Sequence, residues 1–195
     1  ATIAKEKGLE PLANLILLQK MTVSPLEEAE NYINSEKEVS TAEDALNGSK
    51  DILAESVSDN ADFRTHIREL TMKHGQLLSA AKDPEAESVY EMYYEFSESL
   101  SKLAGHRILA ISRGEKEKFL TVKIDAPVDR ILSYLDRKLI TAPSAPTAAV
   151  LHEVTEDAYN RLIAPAIERE IRSDLFEKAE AICTAGTSNP ITEEE

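Results

Sequence analysis

Apolar residues recur along most of this chain at steps of three and four, the spacing that lines one face of a helix. The pattern predicts a short first helix over Ile3 to Lys7, capped by Thr2 and closed by Gly8. A second, opened by Pro11, runs from Leu12 to Lys20 with Leu12, Leu15, Ile16 and Gln19 on one face. Ser24 and Pro25 open a third, through Glu27, Ala29 and Ile33. Thr41 begins a longer helix with Ala42, Ala45, Leu46, Ser49, Ile52, Leu53 and Val57 inward. Asn60 or Asp62 caps the next, Phe63 to His74, with Phe63, Ile67 and Leu70 inward. Met92, Phe96, Leu100 and Leu103 keep the same period, so the stretch from Tyr90 reads as a helix. Gly105 interrupts it, and His106 to Arg113 adds turns that Gly114 stops. Val128, Ile131, Leu132 and Leu135 make Val128 to Leu139 amphipathic.

The period changes to two at Leu120, Val122 and Ile124, which alternate with Thr121 and Lys123. A strand needs a partner for its backbone groups, and Gln76 to Lys82, bracketed by Gly75 and Asp83-Pro84, has the length to be one. The fold class expected is therefore mainly α: a multi-helical bundle with a small β-hairpin, about Gln76–Lys82 with Leu120–Ile124. A long C-terminal helix follows, kinked near Pro165. It covers Thr147 to Ala185, with Leu151, Val154, Ala158 and Leu162 on one stripe and Ile167, Ile171, Leu175, Ala179 and Ile182 on another. Its ~39 residues at 1.5 Å each give the reach of a strut. The domain plan that results is a helical N-terminal subdomain with the β element over 1–140, a linker with two prolines over 141–146, a connecting helix over 147–185 and a flexible tail over 186–195.

Charge changes the functional picture. The net charge of −14 repels phosphate backbones, so nucleic-acid binding needs a local basic face or material outside these residues. Between Leu26 and Phe63 eleven acidic residues face two lysines, which makes either a solvated outer face or a docking surface for a basic partner; Glu27, Glu28 and Glu30 are the docking candidates. From Lys102 to Lys138 the balance reverses, nine basic residues against five acidic. Arg107, Arg113, Lys116, Lys118 and Lys123 are there the candidate nucleic-acid contacts, the alternative for the arginines being carboxylate partners within the fold.

Candidate catalytic chemistry is absent. The chain has no P-loop, dinucleotide, Cys-x-x-Cys, His-Glu-x-x-His or Gly-x-Ser-x-Gly motif, and His66, His74, His106 and His152 lack metal-ligand spacing. No enzyme, cofactor or metal is expected. The lone Cys183 reads as a small buried residue and its solitude as a cytoplasmic setting. The apolar run Leu15 to Leu18 is too short for a bilayer, so no membrane partner is expected.

One block carries a resemblance. Ala104 to Glu117, A-G-H-R-I-L-A-I-S-R-G-E-K-E, resembles the S-H-R-I-L-A-I-N-R-G-E-K-E block of the bacterial transcription accessory proteins called Tex. Ala1 to Ala13, Ala45 to Glu55 and Asp157 to Arg172 agree with the same family in the same order. The resemblance implies that the chain is a fragment, an N-terminal helical region of a longer protein. In that protein an RNase-H-like domain, a helix-hairpin-helix segment and an OB-fold RNA-binding domain lie elsewhere. It implies a scaffold acting in transcription, with RNA or DNA bound by the full-length protein, and the remaining Tex domains and the transcription or translation machinery as partners. It brings no catalytic residue onto this chain.

Overall fold

Three side-chain caps set helix starts where the sequence places them. Ser24 Oγ accepts the Glu27 N–H at 3.2 Å, Thr41 Oγ1 that of Asp44 at 3.1 Å, and Asn60 Oδ1 that of Phe63 at 3.0 Å. The structure, a computed structural model, describes residues 1–184, with side chains through Ile182; the tail expected over 186–195 and the reading of Cys183 lie outside the described residues. In chain order the elements are α1 (Thr2–Glu6), α2 (Glu10–Leu18), α3 (Pro25–Ala29), α4 (Ala42–Asp59), α5 (Ala61–His74), β1 (Gln76–Ala81), β2 (Glu95–Ser99), α6 (Gly105–Lys116), β3 (Leu120–Asp125), α7 (Val128–Leu139), α8 (Thr147–Asp157) and α9 (Ala164–Thr184), with a π-turn, Ala158–Ile163, between α8 and α9. They form two compact units: residues 1–65 with 129–165, and residues 66–128 with the described part of 166–195.

In the first unit α4 is central, with α1, α2, α3, α8 and the π-turn packed on it. Leu9, Leu12, Ile16, Leu53, Ile131, Leu135, Leu151 and Ile163 are buried there, each worth about 1.5–3 kcal/mol of transfer free energy. Phe63 meets Tyr134 edge to face at 6.0 Å. Gln19 ends α2 in the left-handed region, φ 58°, and its amide reaches the segment after α7. Nε2 donates to Leu139 O at 2.8 Å, and Oε1 accepts from the N–H groups of Thr141 at 2.8 Å and Ala142 at 3.1 Å. Thr2 is itself helical and does not cap α1; Ala1 holds the cap position without a side-chain bond. Val128, expected to face inward, is 39% exposed.

The second unit holds the sheet, ordered β2-β1-β3 and antiparallel throughout. The expected pairing is present, with Leu77 opposite Ile124 and Ser79 opposite Val122. Leu77, Ser79, Phe96, Leu120, Val122 and Ile124 share one face, and α6 packs against β3. The other face, with Leu78, Ala80, Ser97, Thr121 and Lys123, forms an open groove of about 440 Å³.

The helix expected from Tyr90 to Leu103 does not form. Glu91–Tyr93 and Leu100–Lys102 are single 3₁₀ turns, and Glu95–Ser99 between them is β2. Tyr93 and Leu100 are buried, but Met92 is 66% exposed, so no four-residue stripe exists. The reason is non-local: β1 has two edges, β3 satisfies one, and β2 supplies partners for the other. Gly114 also fails as a stop, because α6 runs from Gly105 through it to Lys116. Its missing side chain serves packing against Leu120 and Tyr90. The chain turns instead at Lys118, φ 67°, where Phe119 N donates to Gly114 O at 2.9 Å and Lys118 N to Glu115 O at 3.0 Å. This is a Schellman ending with lysine at the position glycine usually takes.

The last helical stretch runs without a gap from Thr147 to Thr184. Its irregularity is the π-turn just before Pro165, closed by Ala164 N–H on Tyr159 O. A proline offers no N–H and its ring crowds the carbonyl four residues back, so a widened turn at that point relieves the conflict. Leu151, Val154 and Ala158 are buried in the first unit, and Ile167, Ile171 and Ala179 in the second.

Candidate nucleic-acid interface

The sequence candidates divide by what they touch. Arg107, on α6, sets Nη1 3.6 Å from Glu98 Oε2 and its guanidinium 5.7 Å from the Phe96 ring centroid, so it fastens α6 to β2. Lys116 places Nζ 4.9 Å from the Phe176 ring centroid. Arg113 and Lys118 are exposed and enter no ion pair among the described residues. Lys123 is exposed on the open sheet face, opposite Leu78.

Arg113 and Lys118 stand at the α6–β3 corner, and a residue that the sequence reading passed over joins them. Lys82 donates its backbone N–H to Phe119 O at 3.0 Å, which brings the exposed end of β1 beside Lys118. The signal was present in the sequence: Lys82 ends the predicted strand immediately before Asp83-Pro84. Two acids of this corner are already engaged. Glu115 binds the Arg172 guanidinium, and Glu117 accepts the Tyr90 hydroxyl. The Tyr90 phenol is pushed above its ordinary value by that hydrogen bond, then by burial and the Glu117 charge, while Arg113 pulls it down. The corner therefore presents Lys82, Arg113 and Lys118 with Glu115 and Glu117 held by internal partners, while Asp83 and Glu85 stay exposed next to Lys82.

Behind the corner, Leu77, Ile108, Ile111, Val122, Leu175 and Phe176 line a cavity of about 220 Å³. Glu27 and Glu30 are exposed and Glu28 is half-buried, on α3 and the 3₁₀ turn after it. Burial first and then Glu28's charge raise the Tyr32 phenol above its ordinary value. Among the described residues no group of three or more His, Cys, Asp and Glu could hold a metal, and no helix is long and apolar enough to cross a membrane.

These features define a mainly helical protein with a small antiparallel sheet and one cationic corner on an acidic chain. The chain belongs to the family described as Tex central region-like, whose profile matches residues 20–184. It is 49% identical to the uncharacterized protein YdcI of Bacillus subtilis over 92% of its own length and 26% of that protein's. It is 34% identical to Protein tex of Bordetella pertussis over 93% of its length and 25% of that protein's. A human relative, S1 RNA-binding domain-containing protein 1, shares 31% identity over 91% of this chain and 19% of its own. The chain thus spans about a quarter or less of these relatives.

Proposed function

We propose that this chain is the helical support of a longer Tex-like protein that binds nucleic acid in transcription, in the cytoplasm, with its main binding surface outside these residues. The resemblance to Protein tex and to a protein named for an S1 RNA-binding domain supports the nucleic-acid role. The observation that carries the division of labour is the state of the cations. Arg107, Lys116 and Arg172 are committed to Glu98, Phe176 and Glu115, which leaves Lys82, Arg113 and Lys118 at the α6–β3 corner to meet phosphate, with Lys123 apart from them on the open sheet face. Three such contacts on a chain of net charge −14 make a weak, sequence-independent accessory contact. No catalytic step is assigned to the chain.

The test is fluorescence anisotropy of labelled single-stranded RNA and duplex DNA with the chain at physiological salt. Dissociation constants of about 1 μM or weaker are expected. Nanomolar binding abolished by Arg113→Ala would transfer the main contact to this chain and sink the supporting role.

A further inference from the structure

We propose that the corner joining α2 to α3 is a docking face for a basic amphipathic helix. This goes beyond the nucleic-acid reading and rests on the first unit alone. The stretch Glu-Pro-Leu-Ala-Asn-Leu-Ile-Leu-Leu is more apolar than one buried face requires. Leu12, Ala13 and Ile16 fill the core side, which leaves Leu17 41% and Leu18 60% exposed. Past the turn, Val23 is 41% and Leu26 42% exposed. Among the described residues six of the ten exposed large hydrophobics fall within the first 33 positions. A single exposed leucine needs no explanation, whereas a concentration of them marks a binding surface.

The backbone of this corner is fixed at both ends. Gln19 ties the end of α2 to Leu139, Thr141 and Ala142, and Ser24 caps α3, whose first turn holds Pro25. A face held rigid before binding loses little entropy when a partner arrives.

Charge selects the partner. Glu27, Glu28 and Glu30 enter no ion pair among the described residues, and Lys20 is the only base between Leu17 and Glu30. A second copy of the chain would set these carboxylates against their own equivalents, and an anionic lipid surface would repel them. A helix with leucine or isoleucine at i, i+4 and i+7 and lysine or arginine beside that stripe satisfies both features, the stripe on the leucines and the cations on Glu27 and Glu30.

The experiment uses the 195-residue chain and two synthetic helices of about 18 residues with one leucine stripe, flanked in one by lysine and in the other by glutamate. The lysine peptide should bind at least about tenfold more tightly than the glutamate peptide by anisotropy. Leu18→Ser with Leu26→Ser should weaken it at least about tenfold, as should Glu27→Lys with Glu30→Lys. Glu85→Lys with Glu87→Lys, which reverses exposed carboxylates of the second unit, should change it less than about twofold. All four changed side chains of the corner are on the surface or close to it, and unchanged melting curves will certify the fold. No binding, equal binding of both peptides, or indifference to the leucine substitutions overturns the proposal. So does self-association in sedimentation that the leucine substitutions abolish, which would make the occupant a second copy.

Discussion

At Gly114 one methyl group decides whether α6 can lie against β3. A Cβ there would meet Leu120 Cδ1 at 2.5 Å, its Cγ at 2.9 Å and Tyr90 Cδ1 at 3.1 Å. Helix propensity favours alanine by about 1 kcal/mol. Overpacking opposes it by about 1–3 kcal/mol, and Leu120 is fully buried, so it has little room to retreat. Packing wins: Gly114→Ala should lower stability by about 1–2 kcal/mol in urea unfolding, and a variant as stable as the parent would refute the tight approach. His152 offers a pH test. Its Nδ1 is 2.7 Å from Asp136 Oδ2 and its Nε2 3.0 Å from Glu156 Oε1. The hydrogen bond to Asp136 raises its pKa above 6.5, against the pull of burial and with help from both carboxylate charges. A raised folded pKa gives a contribution that is complete below pH 6.5 and fades as pH climbs through the folded value. The pair is exposed enough to limit that contribution to below about 1 kcal/mol. Urea midpoints of the parent should therefore fall from pH 5.5 to 8.5 by more than those of His152→Gln, and equal falls would remove His152 from the clasp. Both residues were visible in the sequence, but Gly114 read there as a stop and His152 as an isolated histidine. Neither neighbour, Leu120 or Asp136, is a helical neighbour of the residue it constrains.

Among the elements, β2 shows where periodicity loses to pairing. Leu100 N–H reaches Gly75 O at 3.1 Å and Ala81 N–H reaches Tyr94 O at 2.9 Å. With Leu77 opposite Glu98 and Ser79 opposite Phe96, the even-numbered residues of β2 bond to β1 while Ser97 turns its N–H to the outer edge. Proline at Ser97 should thus be tolerated better than at Glu98, whose loss leaves a Leu77 carbonyl unpaired. Measured against Glu98→Ala to subtract the Arg107 pair, the difference should be about 1–3 kcal/mol, and equal penalties would place the register wrongly. A hint of the strand was present in the sequence as Ser97, Ser99 and Ser101, poor helix residues beside Phe96. The helix starts were far more legible. Ser24, Thr41 and Asn60 act on N–H groups three residues away, and such short-range bonds need no tertiary structure. Thr41→Ala should accordingly cost about 1 kcal/mol in the same unfolding assay, through the lost bond to Asp44.

For the whole molecule, the net charge of −14 sets the background and the α6–β3 corner the exception. If Lys82, Arg113 and Lys118 each displace one counterion, the logarithm of RNA affinity should fall with the logarithm of salt at a slope of about 2. Lys82→Ala, Arg113→Ala and Lys118→Gly together should flatten that slope. Glycine at 118 also relieves the left-handed lysine, so lost binding could not be ascribed to a weakened fold. A slope unchanged by the triple substitution would move the contact elsewhere. Arg107→Ala should leave the slope alone and lower stability, because its charge is spent on Glu98 and Phe96. The sequence by itself determined the mainly helical class, the caps at Ser24, Thr41 and Asn60, the strand character of β1 and β3 and the reversal of charge after Lys102, since each depends on residues close together or on composition. The tertiary structure alone decided that β1 has a second partner, that Lys82 joins Arg113 and Lys118 while Arg107 meets Glu98 and Lys116 lies over Phe176, and that Leu17 and Leu18 stay outside the core. Those outcomes depend on which distant surfaces meet, and one-dimensional spacing carries no record of the far side of a contact.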